Sequence, residues 1–141
     1  MKTFLLEIIT PEKVSYKSMV EFVSFPAYHG EMGVLPGHID YISLLLPGEI
    51  RIKFGEDIQL FAISGGFAEI HNNNVTILCE TAESAEEIDI EKAKLEKLRA
   101  EEKLKTPDKN FVEIQASLRK AMARLKVVSD LQRRKKTKKQ Q

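Results

Sequence analysis

Cysteine is almost missing from this chain. Cys79 stands alone, so no internal disulfide can form, and its place at the end of an apolar strand marks it as a small core residue. Tryptophan is absent, and the three histidines, His29, His38 and His71, are scattered. Zinc-type sites need three or four clustered donors at set spacing, so no metal site is expected. Ser64 is preceded by Ala62-Ile63 and lacks a nucleophile elbow, and no Gly-x-x-x-x-Gly-Lys phosphate loop occurs. These gaps exclude the common catalytic constellations and point to a non-catalytic protein. No apolar run approaches the ~20 residues of a membrane helix. Met1 to Thr10 carries one lysine followed by alternation, unlike a signal peptide. The protein is therefore expected to stay in the compartment where it is made, and Asn74-Val75-Thr76 reads as a strand start, not a glycosylation site.

What remains is ample for a core: 141 residues, 43% hydrophobic, enough for one domain with an appendage. The net charge of +1 conceals a strong asymmetry. Up to Glu86 there are 5 Lys/Arg against 12 Asp/Glu; from Phe111 to Gln141 there are 10 against 2. The C-terminal segment is thus suited to an acidic partner.

Turn formers punctuate the first part every few residues. Alternating apolar stretches between them predict strands at Phe4–Ile9, Lys13–Tyr16, Met19–Phe25, Ile39–Leu45, Glu49–Phe54, Ile58–Ile63, Phe67–His71 and Val75–Cys79. Ile50, Ile52 and Phe54 are expected to face the core. Gly30 to His38 holds three glycines and a proline and reads as a long shaped turn. Asn72-Asn73-Asn74 suits a tight turn because asparagine tolerates left-handed angles. Such spacing predicts a sandwich or flattened barrel over residues 1–86.

Residues 87–131 change texture. Ala, Leu, Glu and Lys without Gly or Pro predict a helix from about Asp89 to Lys105, capped by Asp89 or by a Ser84/Glu87 box. Leu95, Leu98, Ala93 and Ala100 form a weak apolar stripe on it. Thr106 to Asn110 breaks the pattern. A second helix then runs to about Leu131, its stripe made of Phe111, Ile114, Leu118, Ala121, Met122, Leu125 and Val128. A short connection makes the two antiparallel. The fold class is an all-β sandwich followed by an α-helical hairpin. Residues 132–141 are read as a basic, fraying tail.

Gly30-Glu31-Met32-Gly33-Val34-Leu35-Pro36-Gly37-His38, with Ser64-Gly65-Gly66-Phe67-Ala68-Glu69 and Asn74-Val75-Thr76-Ile77-Leu78, resembles the epsilon subunit of the F-type rotary ATP synthase. The resemblance spans the whole chain. It implies a central-stalk rotor subunit that couples the gamma shaft to the membrane c-ring for proton-driven synthesis and restrains hydrolysis through its hairpin. Glu31 and His38 match the positions that meet the c-ring loops, and the face around Ser64–Phe67 would pack on gamma. Arg119, Lys120, Arg124 and Lys126 would meet acidic segments of the alpha and beta subunits when the hairpin swings up.

Ile88-Asp89-Ile90-Glu91-Lys92-Ala93 resembles the motif with which some bacterial members bind regulatory ATP. Ile88, Asp89 and Ala93 match, and Arg99 and Arg124 remain. Lys92 and Lys120, however, stand where arginine is expected. Lysine cannot make the planar two-pronged contact of a guanidinium with phosphate, so weak ATP binding or none is expected. The resemblance implies a peripheral protein held at a membrane only through the complex; the unprocessed start and the long hairpin favour a bacterium over an organelle, and hence an expected place on the cytoplasmic face of the plasma membrane. A nucleic-acid-binding module using the Arg133–Lys139 tail is a rival reading. The lack of aromatic residues for stacking and the acidic preceding domain argue against it. A small β-barrel enzyme or ligand binder would need convergent polar residues, which the sequence does not offer.

Overall fold

Ten strands follow from the alternation between turn formers: β1 (Phe4–Ile9), β2 (Val14–Val20), β3 (Phe22–Ala27), β4 (Gly30–Val34), β5 (Tyr41–Leu45), β6 (Gly48–Phe54), β7 (Asp57–Ile63), β8 (Gly66–His71), β9 (Asn74–Cys79) and β10 (Ala82–Ser84). A 3-10 turn (Ala85–Glu87) leads into α1 (Ile90–Leu104) and then α2 (Phe111–Gln140). The structure is a computed structural model that describes residues 2–105 and 110–140, with residues 138–140 by backbone alone. The strands form one sheet in the order β10-β7-β6-β3-β5-β8-β9-β1-β2, with β4 on the edge of β3. The pairings are antiparallel apart from β1 with β9. β2 comes back against β6, so the sheet is a nearly closed barrel.

Its inside is filled by Phe4, Leu6, Ile8, Val20, Val23, Phe25, Ile50, Ile52 and Ile77, all essentially inaccessible. Two of the three residues expected inward on β6 are there. Phe54 is half exposed instead, because it sits on the last rung before the Gly55-Glu56 turn, beyond the rim of the core. The expected turn over Gly30–His38 is half strand: β4 pairs with β3 from Val23↔Val34 to Ala27↔Gly30. Glycine is tolerated there because an edge strand needs neither a second partner nor packing on both faces. β10 was also unexpected; it pairs with β7 through three residues, Ala82↔Ile63 to Ser84↔Phe61.

Asn72 and Asn73 take left-handed angles, φ 49° and 60°, and close the β8–β9 hairpin. At the other end of β8 a Cβ on Gly66 (φ +149°) would lie 2.0 Å from the Leu78 carbonyl oxygen. Only glycine fits that approach, so its role is structural.

Asp89 caps α1, its carboxylate accepting from the Lys92 N–H at 3.2 Å, while Ser84 makes no side-chain cap. The capping box is therefore not used, since the chain is still pairing with β7 at Ser84. Of the predicted break over Thr106–Asn110, residues 106–109 lie outside the described residues, and Asn110 is in a turn just before α2. α2 does not stop at Leu131: it continues to Gln140, because Arg, Lys and Gln are good helix formers and no Gly or Pro intervenes. The expected stripes also shift. Leu95 and Leu98 of α1, and Phe111 and Met122 of α2, are about half exposed, whereas Ala93, Ala100, Ile114, Ala121, Ala123, Val127 and Val128 are buried. Small residues line the seam because the two helices lie close together. Val127 and Val128 pack on Leu60, Ala62, Ala85 and Ile88, with Ile58, Ile90 and Leu131 around them. α2 thus touches α1 on one side and the outer face of β6 and β7 on another.

Candidate functional site: interaction surfaces

Outside the barrel, pairing registers align apolar side chains across five strands. Leu44 of β5 faces Phe67 of β8, which faces Leu78 of β9; Leu78 faces Ile9 of β1, which faces Val14 of β2. Leu44, Phe67, Leu78 and Val14 are each about half exposed. The next rung, two residues along each strand and three along β2 where the register shifts beside Ile8 and Ile9, begins with Ile42, 72% exposed, before turning polar at Glu69, Thr76, Glu7 and Lys17. Singly exposed apolar residues are ordinary, but a contiguous row is a contact surface awaiting a partner. Single-strand alternation hides this row, because it arises only when registers are known.

A second surface is the loop that follows β4. The His38 N–H donates to the Leu35 carbonyl at 3.2 Å, and the Gly37 N–H donates to Asn73 Oδ1 at 3.0 Å. Asp40 meets His71 Nδ1 at 2.9 Å, and the Asn73 side-chain amide donates to the Thr3 carbonyl at 2.9 Å. The β8–β9 turn therefore pins the loop, which presents Leu35 and Ile39 to solvent. His38 lies in this loop, its ring Nδ1 2.7 Å from the Ile39 carbonyl. Glu31 lies on β4 opposite Pro26 and borders a small cleft with Phe22, Ser24, Gly33, Arg51 and Lys53. No bond joins Glu31 to His38 among the described residues.

The hairpin carries the third set. Arg124 is bracketed: Nη1 donates to Glu96 Oε2 of α1 at 2.7 Å, and Nη2 donates to Glu83 Oε2 of β10 at 3.1 Å. Its side chain is only 15% exposed. Lys126 stands 3.7 Å from Glu49 Oε1 on β6. Arg119 and Lys120 are exposed, and Lys120 borders a groove of about 500 Å³ between the helices, with Arg99, Lys103, Glu96 and Glu113.

Both parts of the chain match models of one family: residues 3–85 the ATP synthase delta/epsilon chain β-sandwich domain, and residues 86–129 the delta/epsilon chain long α-helix domain. The chain is 48% identical over 124 residues to the ATP synthase epsilon chain of Syntrophobacter fumaroxidans, covering 86% of this chain and 92% of that one. It is 42% identical over 129 residues to the epsilon chain of Bacillus licheniformis, covering 90% and 98%. The chain belongs to the epsilon-subunit family of F-type ATP synthases. Among solved structures it resembles a chain in the OSCP/F1/c-ring assembly of the Euglena gracilis mitochondrial ATP synthase, with a TM-score of 0.76 and 28% identity over 92% of this chain and 81% of that one.

The residues that resemble an ATP-binding motif have different surroundings. Ile88 and Ala93 are buried in packing, Asp89 is spent on the helix cap, and Lys92 is exposed. Arg99 lies in the groove about 15 Å further along α1, at ~1.5 Å per residue. Arg124 is held by two carboxylates. Among the described residues no group of three or more His, Cys, Asp and Glu is placed to hold a metal ion.

Sequence reasoning missed the acidic partners of the basic set. Glu83 and Glu49 flank Ala62 on one rung of β10, β7 and β6, so all three point at α2. Arg51, also on β6, reaches Glu49 Oε1 at 3.2 Å and Asp130 Oδ2 at 3.6 Å. The Glu49 carboxyl is pushed up to about 7, chiefly by burial and then by the hydrogen-bonded Asp130 carboxyl, with Lys126 and Arg51 pulling it down. Alternation along Glu49-Ile50-Arg51-Ile52 correctly sends Glu49 and Arg51 outward, but nothing in the sequence says that a helix covers them.

Proposed function

We propose that this protein is a non-catalytic rotor subunit in the central stalk, joining the gamma shaft to the c-ring during proton-driven ATP synthesis and restraining hydrolysis through its hairpin. The five-strand apolar row carries the first half of this reading. It offers a contiguous, half-exposed apolar face of the kind a protein shaft can cover. We assign the gamma contact to that row, and the c-ring contact to the pinned loop with His38 and to Glu31 on the adjoining strand. The subunit would be peripheral, on the cytoplasmic face of a bacterial plasma membrane. No described helix is long and apolar enough to cross a membrane.

The second half rests on the partners of the basic residues. Arg124 and Lys126, assigned with Arg119 and Lys120 to the acidic segments of alpha and beta, are paired with Glu83, Glu96 and Glu49 while the hairpin is docked. Docking and inhibition would then compete for the same cations. ATP binding is weak or absent in this reading, because lysines replace two guanidinium positions. Micromolar affinity by calorimetry would overturn that part.

The test replaces Phe67 and Leu78 with glutamate in a tagged subunit. Recovery of gamma and c-ring components from membranes should fall at least tenfold, with the isolated subunit still folded by circular dichroism. Undiminished recovery would remove the apolar row from the assembly surface. Deleting residues 87–141 should leave recovery intact and raise hydrolysis by the membrane-bound complex.

A further inference from the structure

α2 ends in a charged run that neither the shaft nor the ring contact uses. Arg133, Arg134, Lys135, Lys136, Lys138 and Lys139 put six cations into seven residues, and no acidic residue follows Asp130. The match to the family's helical domain stops at residue 129, short of all six. The run is helical: α2 continues to Gln140, and the Thr137 hydroxyl donates to the Arg133 carbonyl at 3.1 Å. Arg133, Lys135 and Lys136 are exposed. Arg133 lies 3.9 Å from Asp130, and no ion pair joins Arg134, Lys135 or Lys136 to another described residue. Cations in a last turn offset the negative end of the helix dipole, but one or two suffice for that.

The ion pairs under α2 give its heading. Lys126 meets Glu49, and Asp130 meets Arg51. Four helical residues, ~6 Å, thus run beside two strand residues, ~7 Å, in the same sense as β6. Continued at that pace, residue 134 is level with Lys53 and residue 138 with Gly55. The turn at Gly55 shares its end of the barrel with the pinned loop. Phe22 pairs with Lys53, its neighbour Val23 pairs with Val34 at the end of β4, and the Gly55 N–H donates to Glu21 at 3.2 Å. The docked α2 therefore carries its cations to the end that presents Leu35, His38 and Ile39.

We propose that this run is a membrane contact: the docked α2 delivers its cations to anionic phospholipid headgroups beside the ring. The proposal rests on the reading that the pinned loop meets the ring, which turns this end towards the bilayer. It adds a direct contact to an attachment otherwise made only through the complex. The chemistry favours a headgroup layer over nucleic acid or a protein face. No aromatic residue follows Phe111, so bases find nothing to stack on. At about 100° per residue, Arg133 to Lys136 point four ways round the helix, and no single face is set aside for a groove or a fixed partner. A headgroup layer met by the end of a helix takes cations from every side, and long side chains reach it. Clusters of about four to eight Lys/Arg on a helix at the bilayer surface are what anionic lipids attract. The barrel's own end carries Glu21, Asp40, Glu56 and Asp57, so the attraction belongs to α2.

The test sediments the full-length protein with phosphatidylcholine vesicles, with and without about 30% phosphatidylglycerol. Binding is expected with the anionic vesicles alone, and should fall at least tenfold between about 0.05 and 0.3 M salt. Arg133→Gln, Arg134→Gln, Lys135→Gln and Lys136→Gln together should weaken it on the order of a hundredfold, at several-fold per cation. Glutamine is a good helix former, and circular dichroism checks that the variant folds. Lys135→Arg with Lys136→Arg keeps the charge and should bind as the parent does. Equal binding to neutral vesicles, undiminished binding by the glutamine variant, or tighter binding to a single-stranded oligonucleotide overturns the proposal. Absent vesicle binding with gamma and c-ring components still recovered removes the membrane contact alone. Vesicle binding without that recovery removes the rotor reading instead.

Discussion

At the scale of single residues, Arg124 shows how a side chain with an assigned external partner can serve inside the molecule. It reaches β10 and α1 from α2 at once, through two charge-assisted hydrogen bonds, from a largely buried position. Charge-assisted bonds contribute about 1.5–3 kcal/mol each when desolvated. Glu83 and Glu96 are a third or more exposed, so water offsets part of that. Arg124→Ala is expected to cost about 1–3 kcal/mol of hairpin docking, read as faster amide exchange in α2 with the barrel unchanged. Arg124→Lys keeps the charge but not the fork and should recover less than half the loss. If lysine restores full protection, the planar geometry is irrelevant and the bracket is simple charge pairing.

Among the elements, the strands were legible because each has one inner and one outer face, and alternation with asparagine and glycine turns displays that directly. β1 follows this rule from Phe4 to Ile9, as does the Asn72–Asn73 turn. β4 was obscured by its glycines, which read as a turn when no partner strand is known. The outer apolar row and the acidic rung under α2 were illegible for a related reason: both depend on register between strands distant in sequence. α2 was half legible. Its stripe towards α1 has helical spacing, but Ala123 and Val127 lie on a second arc interrupted by Arg124, Lys126 and Asp130. An element wedged between two surfaces buries more than one stripe, and polar residues bonded across the interface look solvated in a sequence.

Val127, wholly buried, tests that second arc. Val127→Ala should cost about 1–3 kcal/mol through lost contact and the cavity left behind, with the loss confined to α2. Urea unfolding should then separate hairpin release from barrel unfolding. A variant that weakens hairpin and barrel equally would mean that the two are one cooperative unit.

At the scale of the whole molecule, charge and apolar packing divide the work of any switch. α2 has 30 residues, ~45 Å at 1.5 Å per residue, longer than the helix expected from the sequence and with more reach along a shaft. Leaving the barrel exposes Val127, Val128 and Leu131 and breaks the pairs of Arg124, Lys126 and Asp130. New pairs with an acidic partner replace old ones nearly one for one, so their net contribution is small. Exposed pairs are worth roughly 0.2–1 kcal/mol each, whereas moving a population from 1:99 to 99:1 needs about 5.5 kcal/mol. The larger share must come from apolar repacking, which salt does not screen. Raising ionic strength from about 0.05 to 0.5 M, across which the Debye length shrinks about threefold, should therefore relieve the proposed hydrolysis inhibition only in part. Hydrolysis rates of intact and hairpin-deleted complexes across that range provide the measurement. Relief as complete as deletion would mean that ion pairs alone hold the brake, and no relief at all would remove the basic residues of α2 from it.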